Sequence, residues 1–183
     1  MKYAMLEKLL KEYHPKNTEE KVYKDQMLDF MKYHPETCFD RSLEIGHFTA
    51  SCWLVNQDNS KALLMHHAKL KDWLQLGGHA DGDSDLLAVA IKEGQEESGI
   101  VNIVPVDGKI FDLSIHLIPA NPKEKAHYHY DVRFLLQVVS DEDFIKNHES
   151  LDLRWIGKNK NEIPTDNRSV IRMFEKWIAR DIS

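Results

Sequence analysis

The chain has 183 residues, of which 24 are basic and 30 acidic, for a formal charge of −6. That length suits one domain with a full core and a short extension, and the acidic balance without a basic patch argues against a nucleic-acid surface. No apolar run approaches the ~20 residues that span a bilayer, the charged start lacks a signal-peptide core, and Cys38 and Cys52 fit neither a disulfide framework nor a zinc spacing, so the expected location is the cytoplasm, away from membranes.

Leu6, Leu9, Leu10 and Tyr13 recur at helical spacing and predict a helix over residues 2–14, ended by Pro15. Asn17 and Thr18 offer caps for a second helix reaching Tyr33, with Val22, Leu28 and Met31 as apolar positions and Pro35 beyond it. Residues 1–37 therefore read as an N-terminal helical extension that covers one side of the core or makes a dimer contact. Residues 38–183 read as the main domain. From Gly46 the period changes to two. Residues 47–55 predict a strand, Gln57-Asp58-Asn59 a turn, 61–67 a returning strand, and 73–76 a short strand leading into Gly77 and Gly78. Leu86 to Ser98 reads as a helix. Strands follow over 110–118, 127–139 and 152–156, and Val170, Ile171, Phe174, Trp177 and Ile178 mark a last helix. Strands interspersed with helices predict an α/β layered domain.

The densest chemistry lies between Gly78 and Ile100, in GHADGDSDLLAVAIKEGQEESGI. Glu93, Glu96 and Glu97 stand three and four residues apart, so they share one helix face. Like charges so placed repel by a few tenths of a kcal/mol per pair even when exposed. A divalent cation among them removes that cost, and hard oxygen ligands suit Mg²⁺ or Mn²⁺. The bland alternative is a solvated acidic face with Lys92 paired to Glu96.

This stretch resembles the signature of the Nudix hydrolases. Gly78 matches its first glycine, and Glu93, Glu96, Glu97, Gly99 and Ile100 match its end in register. The similarity extends from about His47 to Trp155. Three positions depart: Ser84 stands at the usual first Glu, Lys92 at the usual Arg, and Gly94 at an apolar position. Ser84 is expected to cap the helix, and Gly94, costly inside a helix, to mark close backbone packing. The resemblance implies an α/β/α sandwich around a mixed sheet. It also implies a metal-dependent hydrolase of a diphosphate bond in a nucleoside diphosphate-linked or related small metabolite. Glu93, Glu96, Glu97 and the Gly77 carbonyl would hold the Mg²⁺ or Mn²⁺. Glu96 or Glu97 would act as general base, with Asp131 an outside candidate, and Lys92 would orient the glutamates. The family is commonly dimeric. A Nudix domain that binds a metabolite without cleaving it is the alternative that Ser84 and Lys92 favour.

Strand alternation places His127, His129, Asp131 and Arg133 on one face of the 127–139 segment. With His47, His79 and Asp131, the two histidines are candidates for a second metal site, its ion held mainly by imidazole and of a kind such as Mn²⁺, Zn²⁺ or Fe²⁺, or for substrate contacts. His66, His67 and His116 are further cleft candidates. Arg133 is the candidate for a substrate phosphate. Trp73, Tyr128, Tyr130 and Trp155 are candidates for stacking on a base. In this limited respect the chain is also similar to the isopentenyl diphosphate isomerases, although Gly77 stands where their catalytic cysteine would be.

Overall fold

Four α-helices and seven strands form among the described residues, 3–122 and 124–180, of a computed structural model. Residue 2, at the start of the predicted first helix, lies outside them. Helices α1 (Ala4–Glu12) and α2 (Thr18–Tyr33) come first. Asn17 Oδ1 accepts the Glu20 N–H at 2.9 Å, and the Glu20 carboxylate reaches back to the Lys16 N–H and the Tyr13 hydroxyl. That reciprocal cap starts α2 where Asn17 and Thr18 predicted it.

The strands are β1 (Gly46–Val55), β2 (Ala62–His67), β3 (Trp73–Leu74), β4 (Leu76–His79), β5 (Ile103–Ile118), β6 (His127–Val138) and β7 (Ser150–Ile156). Their order is β3-β2-β1-β6-β5, with β4 paired to β1 and β7 to β2. Helix α3 (Leu86–Ser98) follows β4, and α4 (Arg168–Arg180) follows β7. The fold class is α/β, as predicted. Two elements differ by more than two residues. The predicted 73–76 strand divides into β3 and β4, so the glycine pair is itself in a strand. Strand β5 starts seven residues earlier than the predicted 110, because its first half is mostly exposed and carries no apolar alternation to reveal it.

Contacts group the chain into two compact units. One holds Met1–Ser51, Gly78–Ala90 and Gly108–Phe134; the other holds Cys52–Gly77, Ile91–Asp107 and Leu135–Ser183. In the first, α2 lies against the sheet: Phe30 stacks on Tyr130 with ring centroids 4.0 Å apart and also meets Phe48. Helix α2 thus covers part of the core of this unit. Gly46 enters β1 at φ +150°, and a Cβ there would overlap the Tyr128 carbonyl oxygen. Gly46→Ala is expected to destabilise the fold at the upper end of roughly 1–3 kcal/mol, read as a lowered urea midpoint.

In the second unit, Ala62 to Met65 of β2 pair with Ile156 to Leu153 of β7. Trp177 of α4 packs on Trp53 and donates its Nε1–H to Asn59 Oδ1 at 2.7 Å. Gly94 is explained here. A Cβ at that position would lie 3.2 Å from Cys52 Sγ and 3.5 Å from Ile103, so the helix approaches β1 and β5 more closely than most residues permit.

Candidate active site

In the first unit, α3 opens at Leu86, and the residue before it supplies the cap. Asp85 Oδ1 accepts the Ala88 N–H at 3.0 Å, and the Asp85 carbonyl accepts the Val89 N–H. The expected capping role of Ser84 is therefore corrected to Asp85, because the helix begins one residue later than Ser84 would require. Asp83 turns the loop by accepting the Asp85 N–H.

In the second unit, the three glutamates meet different environments although they share a helix face. Glu97 is buried, the Glu93 side chain is 16% exposed and that of Glu96 58%. Lys92 Nζ stands 3.9 Å from both Glu93 and Glu96 and is 61% exposed, a separation at which an exposed pair stabilises little. Glu97 Oε2 accepts the Gly77 N–H at 2.8 Å, which ties the helix to the glycine strand. Burial pushes the Glu97 carboxyl up to about 8, Glu93, Glu149 and Glu96 push the same way, and the Gly77 N–H opposes them. Carboxylate oxygens are the donor type that suits a hard divalent cation. Glu149, whose charge acts on Glu97, stands far outside the glycine-to-isoleucine stretch, where sequence reading had no signal for it.

The raised Glu97 value has a consequence for the metal-free protein. Between about pH 4.5 and 8 the folded chain keeps a proton that the unfolded chain releases, so stability falls as pH rises through this window. Below pH 6.5 the histidines with lowered values act in the opposite sense, so the Glu97 effect is read between pH 6.5 and 8. The melting temperature of EDTA-treated protein is expected to drop over that interval, and that of Glu97→Gln to stay level. Mg²⁺ is expected to lessen the drop.

The first unit carries the other candidates. His47 (β1), His79 (β4), and His127 and His129 (β6) come together, with His47 ring centroids 4.9–5.2 Å from the other three. His116 of β5 adds a fifth ring, 5.4 Å from His129. Burial lowers His47 to about 4, helped by His79 and His127, and lowers His129 to about 2, helped by His79, His116 and His47. His47 and His129 are therefore neutral near pH 7 in the metal-free protein. Asp131 is buried and accepts from Thr49 Oγ1, Ser51 Oγ and Arg133 Nε. Burial would raise its carboxyl, but Arg133, His116 and Ser51 hold it below the ordinary value. Arg133, nominated for a phosphate, is 2% exposed and donates instead to Asp131 at 2.7 Å and Asp112 at 3.1 Å.

The aromatic candidates have local partners as well. Trp73 stacks on His66 with Arg154 over its ring, Tyr130 lies on Phe30, and Trp155 donates its Nε1–H to the Glu142 carbonyl. Tyr128 is 46% exposed.

Known proteins with similar sequence and fold now give this arrangement a family. A profile for the NUDIX domain matches residues 46–176. A probable DHNTP pyrophosphohydrolase from Lactococcus lactis subsp. cremoris (strain MG1363) is 29% identical over 128 residues, covering 69% of this chain and 73% of that protein. Among solved structures, the MutT protein from Methanosarcina mazei Go1 superposes with a TM-score of 0.58 at 20% identity, over 77% of this chain and 99% of that one. The E. coli dihydroneopterin triphosphate pyrophosphohydrolase superposes with a TM-score of 0.55 at 14% identity, over 73% and 95%. Both structural likenesses show the fold. The chain belongs to the Nudix family.

Proposed function

We propose that the protein hydrolyses a diphosphate bond in a nucleoside diphosphate-linked or related metabolite, with Mg²⁺ or Mn²⁺ held by Glu93, Glu96, Glu97 and the Gly77 carbonyl. The observation that carries this is Glu97: a buried carboxylate surrounded by others and tied to the Gly77 N–H. Bound divalent ions would offset the phosphate charge and acidify a water for attack on phosphorus. The chain's own contribution is positional. The Gly77 N–H fixes one oxygen of Glu97. The turn of helix from Glu93 to Glu97 sets the spacing of the oxygens. Glu96, the most exposed of the three, is the one open to solvent and is our choice of general base ahead of the buried Asp131. Lys92 moderates the charge of its two neighbours.

No described helix is long and apolar enough to cross a membrane. The test is phosphate or pyrophosphate release across nucleoside triphosphates, dinucleotides, nucleotide sugars, coenzyme A and dihydroneopterin triphosphate, with Mg²⁺ and then Mn²⁺. Turnover that requires the metal is expected for at least one compound. Failure of all of them at every metal and pH overturns the proposal. Thermal stabilisation by a compound that is not cleaved gives the alternative, a binding domain.

A further inference from the structure

The five-histidine cluster of the first unit is a larger polar investment than a strand needs, and its geometry points to a ligand. His47 is 3% exposed, and neither of its ring nitrogens has a hydrogen-bond partner among the described residues. A buried polar group left without a partner costs about 1–3 kcal/mol, so an orphaned imidazole calls for an occupant. Its neighbours are oriented toward the same place. His127 Nδ1 lies 2.8 Å from the Lys125 carbonyl and must donate to it, which turns the His127 Nε2 lone pair toward His129 Nε2, 3.2 Å away. A backbone carbonyl holding the far nitrogen is the usual support for a metal-ligating imidazole.

The separations agree with that role. One ligand nitrogen from each of His47, His127 and His129 lies within 4.8 Å of the others. Two imidazole nitrogens on one tetrahedral Zn²⁺, each at ~2.0–2.1 Å, stand about 3.3–3.4 Å apart. The His127 and His129 pair, at 3.2 Å, is close to that spacing, and a His47 nitrogen lies within 4.8 Å of both. A cleft of about 270 Å³ lined by His47, His127, Arg41, Glu44, Glu124 and Lys125 opens on the cluster and gives an ion or its water a route in. Lys125 is engaged with Glu44 at 2.8 Å, and Arg41 with Asp81 at 2.6 Å, so the cleft's cations are already paired and do not repel a metal strongly.

We propose that His47, His127 and His129 form a binding site for a borderline divalent transition metal, of the Zn²⁺ or Fe²⁺ class, with His79 the nearest further ligand. Nitrogen-only donors of this kind favour such ions over Mg²⁺, so this site differs in chemistry from the carboxylates of α3. Three protein ligands also leave a coordination position for water or an anionic oxygen.

The test uses full-length, untagged, metal-stripped protein titrated with Co²⁺ in a large excess of Mg²⁺. The expected result is one tightly bound equivalent with visible ligand-field absorption, displaced by Zn²⁺. It should persist in Glu97→Gln, which separates this site from the proposed hydrolytic one, and weaken by at least about tenfold in His129→Ala and His127→Gln. Wild-type protein gives a check independent of folding in the variants. Zn²⁺ should move the ¹⁵N imidazole resonances of His47, His127 and His129 and leave those of His14 and His148 in place. Absence of Co²⁺ absorption in the wild type overturns the proposal. So does binding undiminished in folded histidine variants, and so do Zn²⁺ shifts confined to other histidines.

Discussion

Replacing Glu97 with glutamine is expected to lower kcat about a hundred- to a thousandfold on whichever compound the protein cleaves, the range lost when one aimed electrostatic group is removed from a site. The substitution keeps shape and volume. Glutamine still offers an oxygen to the Gly77 N–H, now 2.8 Å from Glu97 Oε2, so the link between α3 and β4 survives. What disappears is the negative charge that Glu97 would offer a metal ion once its proton is displaced. The loss should fall on kcat/KM in full and be accompanied by a weaker apparent affinity for Mg²⁺. Glu96→Gln, at a 58%-exposed side chain, should keep more of the metal affinity. Steady-state rates over a Mg²⁺ series for the two variants check this. A Glu97→Gln rate equal to the wild type's would remove the glutamate cluster from the reaction.

Arg133→Met should damage folding more than any surface change. The guanidinium is buried between two carboxylates, with side-chain exposures of 3% for Arg133, 2% for Asp131 and 0% for Asp112. Removing the cation strands both acids in a low-dielectric interior. Losing one partner of a buried pair costs about 3–5 kcal/mol, a large share of the roughly 5–15 kcal/mol that holds a domain folded. Urea denaturation should show the midpoint falling accordingly. The double variant Asp112→Asn/Arg133→Met should recover part of the loss, since one of the two stranded charges is gone. Unchanged stability combined with a raised KM would instead return Arg133 to the phosphate role that strand alternation suggested.

The contrast between these residues shows what local sequence encodes. Spacing alone placed Glu93, Glu96 and Glu97 on one face of α3, because helix geometry repeats every few residues and needs no distant partner. Period-two alternation likewise put His127, His129, Asp131 and Arg133 on one side of β6. Gly78, Gly99 and Ile100, in register with the three glutamates, carry the resemblance to the Nudix family that the domain profile over residues 46–176 bears out. Residue type and short-range period determined all of this.

Burial and pairing depend on which strands become neighbours. Asp131 meets Thr49 from 82 positions away, and Arg133 meets Asp112 across 21. No local pattern states that β6 lies between β1 and β5, yet that order decides that Arg133 faces carboxylates and that His47 joins the β6 histidines without a hydrogen-bond partner. Tertiary packing likewise made Glu97 alone of the three a buried acid and gave Gly94 its reason, the Cys52 sulfur. Desolvation sets proton affinity and metal preference, and it arises only when segments remote in sequence close over a side chain.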